Sequence, residues 1–428
     1  MARKPKANSK SEDKRPLKAY KFRIYPDAAQ RAMLDRTFGC TRFVWNKLVA
    51  NFNKNYETGE REICTAQMIK DNPEFPWLKD CISYALQQKE RDFLSTLTQF
   101  FDKSRKVPLG RMKFKKKGVC RDSFRIPAQA LGYHKAVDFE RGTIKIPKCG
   151  LVKCVYDRRF AGEMTNVTIS RNKADQYFVS ILVRQDIERL QNTNRHVGID
   201  LGLKDLMITS DGIKFENPKF LRKNQAKIKK HQKLLSRKTK GSKRHQKQKN
   251  ILAKAHLKVA NQRGYLHHVV STWLVKNYDT IILEDLNIKG MAKNHKLAGA
   301  VMDASWYSLI SKIQYKCGWY GKTFHQINRF FASSKTCSCC GYKMPELALS
   351  VREWECPSCT TYHDRDLNAA KNIMVQGFQD LYQIDPPDER SGRGGLISPM
   401  KPVQAPAALA GLMKRELNST NLNTIVSI

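Results

Sequence analysis

Three features predict an α/β chain of several domains. Short apolar–polar alternations mark strands, longer runs with apolar residues every three to four positions mark helices, and 428 residues at 41% hydrophobic content are enough for more than one core. At ~150 residues per domain the length gives two to four domains. Wholesale disorder is excluded.

Residues 1–16 form a charged, proline-containing arm too polar to order itself. Tyr20, Phe22 and Ile24 then alternate with Lys21 and Arg23, predicting a half-buried strand that ends at Pro26. From Asp27, placed to cap a helix, to about Ser104 the spacing of Met33, Leu34, Phe38, Phe43, Val44 and Leu48 is helical, with breaks at Pro73 and Pro76. Alternation returns between about Cys120 and Val183 in TIKIP, VKCVY, NVTIS and YFVSILV. A small β-barrel interrupted by a helical module gives the first strand its partners.

A further domain opens at Asn194 with HVGIDLG and LMITSDGIKF, two strands with a turn at Asp211-Gly212. Residues 219–263 read as two basic helices joined through Lys240-Gly241-Ser242-Lys243, with Ile228, Leu234, Leu235, Ile251, Leu252, Leu257 and Val259 as their apolar positions. A separate apolar helix is expected over Tyr265–Tyr278, then a strand over Thr280–Glu284. A helix with Trp306, Ile310, Ile313 and Trp319 follows, then a cysteine cluster and an Ala-rich helix from about Asp366. Residues 386–428 read as a Pro/Gly/Ala-rich tail of little fold.

Seventy-eight Lys and Arg against 39 Asp and Glu give a net charge of +39. So large an excess, spread along the chain, calls for a polyanion, and the helical pair at 219–263 carries about sixteen of the cations. Nucleic acid is the expected partner. No run approaches the ~18–20 apolar residues of a membrane span, and the opening lacks the apolar centre of a secretory signal. A cytoplasmic protein with no membrane partner, associated with the nucleoid through DNA, is expected.

Twelve cysteines are too few for a disulfide scaffold. Cys40, Cys64, Cys81, Cys120, Cys149, Cys154 and Cys317 stand singly and read as buried or inert thiols. Cys337, Cys340, Cys356 and Cys359 make CxxC, fifteen residues, then CxxC. Paired knuckles of this spacing bring four thiolates to one tetrahedral, structural Zn²⁺ with no open position for water. Cys339 falls outside the two-residue gap that Gly341 completes.

Three carboxylates close regular elements: Asp200 ends a strand in GIDLG, Glu284 ends IILE, and Asp366 opens the helix of DRDLNAAKNI. An acid in an otherwise buried strand is costly unless paired or bound to a cation. Two Mg²⁺ ions ~3.5–4 Å apart on such oxygens can activate a water and stabilise the leaving oxygen of a phosphodiester. Asp364 competes with Asp366 for the third position. Asp366 is preferred as an acid at a helix start, held by backbone amides.

In this order, GIDLG, LED, the paired knuckles and DRDLNAAKNI resemble the transposon-encoded TnpB family, relatives of the miniature type V CRISPR effectors. KAYKFRIYP, CTRFVWN at 40–46, IPKCGLVK at 146–153, NQR at 261–263 and SSKTCSCCG at 333–341 extend the resemblance over nearly the whole chain. It implies an RNase H-like RuvC nuclease domain (191–331 and 363–385) with a zinc-ribbon-like insertion (332–362). Before these it implies a wedge β-barrel (17–26 and 111–190) carrying an inserted helical recognition module (27–110). It further implies Asp200, Glu284 and Asp366 as catalytic Mg²⁺ ligands, and a guide RNA that directs cleavage of target DNA beside a short flanking motif. Tyr84 and Gln87 are candidates to face that motif, Tyr84 with core packing as the alternative.

Two positions depart from the family pattern. Ala332 stands where Pro is usual before SSK, and Tyr265 where Asp commonly follows NQR. All three acids and four thiols are intact, which favours an RNA-guided endonuclease over a nuclease-inactive RNA-guided regulator or an unguided transposase or resolvase.

Overall fold

A computed structural model describes residues 13, 15–59, 64–105, 110–348 and 350–382. The 386–428 tail, and residues 1–12 and 14 of the amino-terminal arm, lie outside them. The chain folds as two compact units that divide between Asp186 and Ile187.

The first unit begins with strand β1 (Leu17–Tyr25), in which Tyr20, Phe22 and Ile24 are buried as their alternation requires. Helix α1 (Ala28–Thr58) follows Asp27, whose side chain accepts the Gln30 amide while the Gln30 side chain accepts the Asp27 amide. Helices α2 (Ala66–Asp71) and α3 (Ser83–Phe101) pack on it around Val44, Leu48, Leu78 and Leu86. Between them Pro76 opens a single 3₁₀ turn, because a proline lacks the amide an interior turn would use.

The chain then returns through β2 (Asp122–Pro127), β3 (Val137–Asp138), β4 (Thr143–Ile146), β5 (Gly150–Val155), β6 (Glu163–Arg171) and β7 (Tyr177–Arg184). The sheet order is β2-β6-β7-β1-β5-β4-β3, antiparallel throughout. The first strand of the chain therefore sits in the centre of the sheet, between β7 and β5. One core of Phe22, Phe124, Ile144, Val167 and Val179 lies against the sheet's inner face. β2 and β3 are its two edges, and the sheet is an open, curled half-barrel.

The second unit starts with β8 (His196–Asp200), β9 (Asp205–Thr209) and β10 (Lys214–Glu216), and Gly212 takes φ +80° in the turn between the last two. Next come α4 (Phe220–Ser236) and α5 (Lys243–Asn277), β11 (Thr280–Glu284), α6 (Ile288–Met291), α7 (His295–Ala304) and α8 (Trp306–Tyr320). Strand β12 (Thr323–Ile327), the small hairpin β13 (Glu353–Glu355) and β14 (Tyr362–Asp364), and α9 (Arg365–Tyr382) complete it. The main sheet is ordered β10-β9-β8-β11-β12, with β8, β11 and β12 parallel and β9 antiparallel to its neighbours. Val197, Leu274, Tyr278, Ile281 and Trp306 form its main core.

The basic region differs from the expectation of two helices followed by a third. α5 runs unbroken through Gly264 to Asn277, so the basic and apolar segments are one 35-residue helix. Nothing lies near Gly264 that would force a break, and burial of Leu266, Val270 and Leu274 holds the helix across it. Of the apolar positions assigned to the hairpin, Ile228 and Val259 are buried while Leu234 and Ile251 are exposed. Helix α4 thus presents a solvated basic surface, with Lys223, Lys227, Lys229 and Lys230 all exposed.

Candidate active site and metal centre

Asp200 and Glu284 end adjacent parallel strands. β8 and β11 pair with Leu283 opposite Ile199, so the next residue on each strand is one of the two acids. The third acid comes from α9, which lies directly on this sheet because glycines open the way. A Cβ on Gly198 would stand 2.2 Å from the Ala370 carbonyl oxygen and 2.5 Å from the Met374 nitrogen, and one on Gly377 would meet Ile282 at 2.3 Å. With backbone against backbone, the helix start is carried toward the carboxyl ends of β8 and β11. Asp366, one turn before Ala370, arrives beside Asp200.

The electrostatics report the same convergence. The Asp200 carboxyl is enclosed and pushed up to about 7, first by loss of water and then by the negative charges of Asp366 and Glu284, with Arg365 opposing. Burial and the neighbouring Asp285 also raise Glu284. An enclosed carboxyl raised by two neighbouring acids marks a donor set short of positive charge. Hard oxygen ligands of this kind fit a divalent cation such as Mg²⁺.

The reason for preferring Asp366 needs correction. It is Asp364, not Asp366, that accepts the helix-start amides: its Oδ1 takes the Asp366 amide at 3.0 Å and the Leu367 amide at 3.1 Å. Its Oδ2 accepts from Lys214 Nζ at 2.7 Å. Burial would raise the Asp364 carboxyl, but Lys214 and these amides hold it below the ordinary range. Asp364 is thereby committed to capping and ion pairing. Among the described residues the Asp366 carboxylate accepts from Arg352, at 3.4 Å, and its negative charge acts on Asp200.

The four knuckle thiols come together as their spacing predicts. The sulfurs of Cys337, Cys340, Cys356 and Cys359 all lie within 4.8 Å of one another, and the Cys337–Cys359 and Cys340–Cys356 pairs are 3.6 Å apart. Tetrahedral Zn–S bonds of ~2.3 Å place sulfurs about 3.8 Å apart, so the residues fit the ion. Both knuckles turn alike: Gly341 donates its amide to the Cys337 carbonyl at 3.0 Å, and Thr360 to the Cys356 carbonyl at 2.8 Å. Gly341 supplies φ +77° for its turn. Cys339 stays outside the cluster and donates its amide to the Cys337 sulfur.

Comparison with known proteins agrees with this anatomy. Residues 179–295 match a family model described as "Probable transposase", and residues 306–373 match the "Cas12f1-like, TNB domain". A Streptomyces pristinaespiralis protein named "Putative RNA-guided DNA endonuclease" is 35% identical over 92% of this chain and 98% of its own length. The chain belongs to the TnpB family. An Escherichia coli K12 relative, "Putative RNA-guided DNA endonuclease InsQ", is 32% identical over 91% of this chain and 99% of its own. Among solved structures, a chain in the "Cryo-EM structure of the Cas12f1-sgRNA-target DNA complex" aligns over 84% of this one and 99% of its own, at 14% identity and a TM-score of 0.47. Residues 17–61 also match a model described as a "Helix-turn-helix domain". In this TnpB-family chain the described part of that stretch is the sheet strand β1 followed by the single helix α1.

Several residues at the site were not singled out by sequence reasoning. His363, buried on β14 against the Trp354 ring, places Nε2 3.0 Å from the Cys337 sulfur. Asn368 accepts the Ser338 amide and donates to the Thr336 carbonyl, and Asn372 donates to the Ser333 and Thr336 carbonyls at 2.7 and 2.6 Å. These two amides bolt the first knuckle to the helix that carries Asp366. Their signal was present as asparagines four apart on one helix face, poor interior helix formers that need an outside partner. On α3, Tyr84 and Gln87 are both exposed, three residues apart on one face, so core packing of Tyr84 is overturned.

Proposed function

We propose that this chain is an RNA-guided DNA endonuclease whose Mg²⁺-dependent chemistry is carried by Asp200, Glu284 and Asp366. The observation that carries this reading is the convergence of the three acids at the carboxyl ends of β8 and β11 under α9. The names of the two near-full-length relatives support guidance and cleavage.

Bound Mg²⁺ ions supply Lewis-acid stabilisation of the phosphodiester and lower the pKa of a coordinated water. The chain's own residues do the positioning. The parallel strands hold Asp200 and Glu284 side by side, and the knuckles brace α9 so that Asp366 stays in register with them. Lys214 keeps Asp364 occupied, and Arg329 Nη2 holds the carboxylate of Asp285 at 2.5 Å, so these neighbouring acids do not compete for the cation. Zn²⁺ on Cys337, Cys340, Cys356 and Cys359 is structural, since four thiolates complete its shell.

The single-signed face of α4 and α5 neutralises phosphates of the guide or of its heteroduplex, with pairing left to read the sequence. Tyr84 and Gln87 form the small exposed patch assigned to the flanking motif, Gln87 offering an amide suited to a base edge.

The test is to purify the chain from its native locus, sequence the RNA it carries, and offer it a plasmid bearing the matching target with Mg²⁺ or with EDTA. Cutting only with matched RNA and Mg²⁺ is expected, and Glu284→Ala should abolish it while target binding stays near wild type. An RNA-free preparation that cut equally well would reject guidance. Tight binding with no cutting, unchanged by Glu284→Ala, would make the protein a binding regulator.

A further inference from the structure

Phe330 is the most exposed large apolar side chain among the described residues, at 89%. It stands in the turn that follows β12, and that turn is pinned on both sides of it. Arg329 donates through Nε to the Asp285 carbonyl at 3.2 Å and through Nη2 to the Asp285 carboxylate. Phe331 packs against the Ile282, Ile327, Ile373 and Phe378 cluster. Asn328 closes the turn, its side chain accepting the Phe330 amide at 2.9 Å and its carbonyl the Phe331 amide at 3.1 Å. Phe330 is therefore held out into solvent by fixed neighbours rather than left on a loose loop.

Its place is close to the acids. Ile327 pairs in register with Glu284, neighbouring strands lie ~4.8 Å apart, and three residues reach at most ~10 Å, so Phe330 lies within roughly 15 Å of Glu284. That is a span of a few nucleotides along an extended strand. An aromatic face there can stack only on a base whose own neighbour has been removed, because paired bases inside a duplex offer no open face. The chain's net charge of +39 favours a polyanion over an apolar protein as its partner.

We propose that Phe330 stacks on an unpaired nucleobase of the DNA strand presented to Asp200, Glu284 and Asp366. This rests on the nuclease reading for the purpose of the contact, but its test does not need cleavage. The full chain is titrated in EDTA and raised salt with an oligodeoxynucleotide carrying one central 2-aminopurine, following both anisotropy and the quenching that stacking causes.

Phe330→Ala is expected to bind about tenfold more weakly and to lose quenching. Phe330→Trp should restore both, and Phe330→Leu, apolar but without a π face, should behave like the alanine variant. Zinc content and circular dichroism equal to wild type exclude misfolding. Wild-type affinity and quenching in Phe330→Ala, or full rescue by leucine, would overturn the assignment even if Glu284→Ala abolished cleavage. Loss of stacking in Phe330→Ala from a chain that cut no DNA would instead leave the assignment standing and remove the nuclease reading.

Discussion

Gly198→Ala separates the positioning of the acids from their presence. The substitution adds one methyl group, leaves Asp200, Glu284 and Asp366 untouched, and places a Cβ 2.2 Å from the Ala370 oxygen and 2.5 Å from the Met374 nitrogen. Ordinary contact begins at 3.4 Å, and both obstacles are backbone, which no rotamer change can clear. α9 must therefore lift from β8 by about 1 Å, at a cost of ~1–3 kcal/mol in stability. A 1 Å misplacement of a catalytic group costs on the order of 100-fold in rate, so cleavage should fall by about that factor. The assay is single-turnover cutting of matched target by the guide-loaded protein, beside target binding and thermal unfolding. A folded Gly198→Ala that binds and cuts like wild type would refute the view that close helix–strand contact sets the position of Asp366.

The metal centre gives a second expectation: Cys356→Ala should lose zinc and destabilise the insertion, while His363→Ala should keep the four thiols yet bind zinc about 10- to 100-fold more weakly, measured by chelator competition. Asp364→Ala should cost about 1 kcal/mol through the lost cap and retain measurable cleavage, whereas Asp366→Asn should abolish cleavage at unchanged stability. A pH dependence comes from His267, buried against the Ala304 carbonyl and pushed down to about 4 by loss of water, with Lys312 and Arg263 adding to the shift. The unfolded chain takes up this proton near pH 6.5 and the folded chain only near 4, so stability is full above about 6.5 and falls with pH, by roughly 2 kcal/mol at pH 5. The difference between wild type and His267→Gln in urea unfolding at pH 8 and pH 5 isolates that contribution.

Periodicity made the regular elements legible where burial is one-sided. Alternation at Leu17–Tyr25 marked a strand because one face meets the core, and Asp27, an acid placed to cap a helix, marked the start of α1. The same logic ran out where local and long-range preferences part. The basic segment to 263 and the apolar one from Tyr265 read as separate helices, but burial of Leu266, Val270 and Leu274 carries α5 across both. α6 and α7 passed unnoticed because α6 is a single turn with no buried residue. At the site, chain order and residue type pointed to the acids and thiols. Sequence could not say which of Asp364 and Asp366 caps α9, since both are acids at the same helix start and only Lys214, 150 positions away, fixes the division of labour. His363, Asn368 and Asn372 stayed hidden for a like reason: their roles lie in what folding brings beside them.

The central claim is that three acids remote in sequence share divalent ions. Crystals of the guide- and target-loaded protein soaked in Mn²⁺ test it through anomalous scattering. Peaks about 2.0–2.4 Å from oxygens of Asp200, Glu284 and Asp366 together are expected, and they should vanish in Glu284→Gln. Occupied Mn²⁺ on Asp364 in place of Asp366, or peaks that touch only one of the three acids, would contradict it.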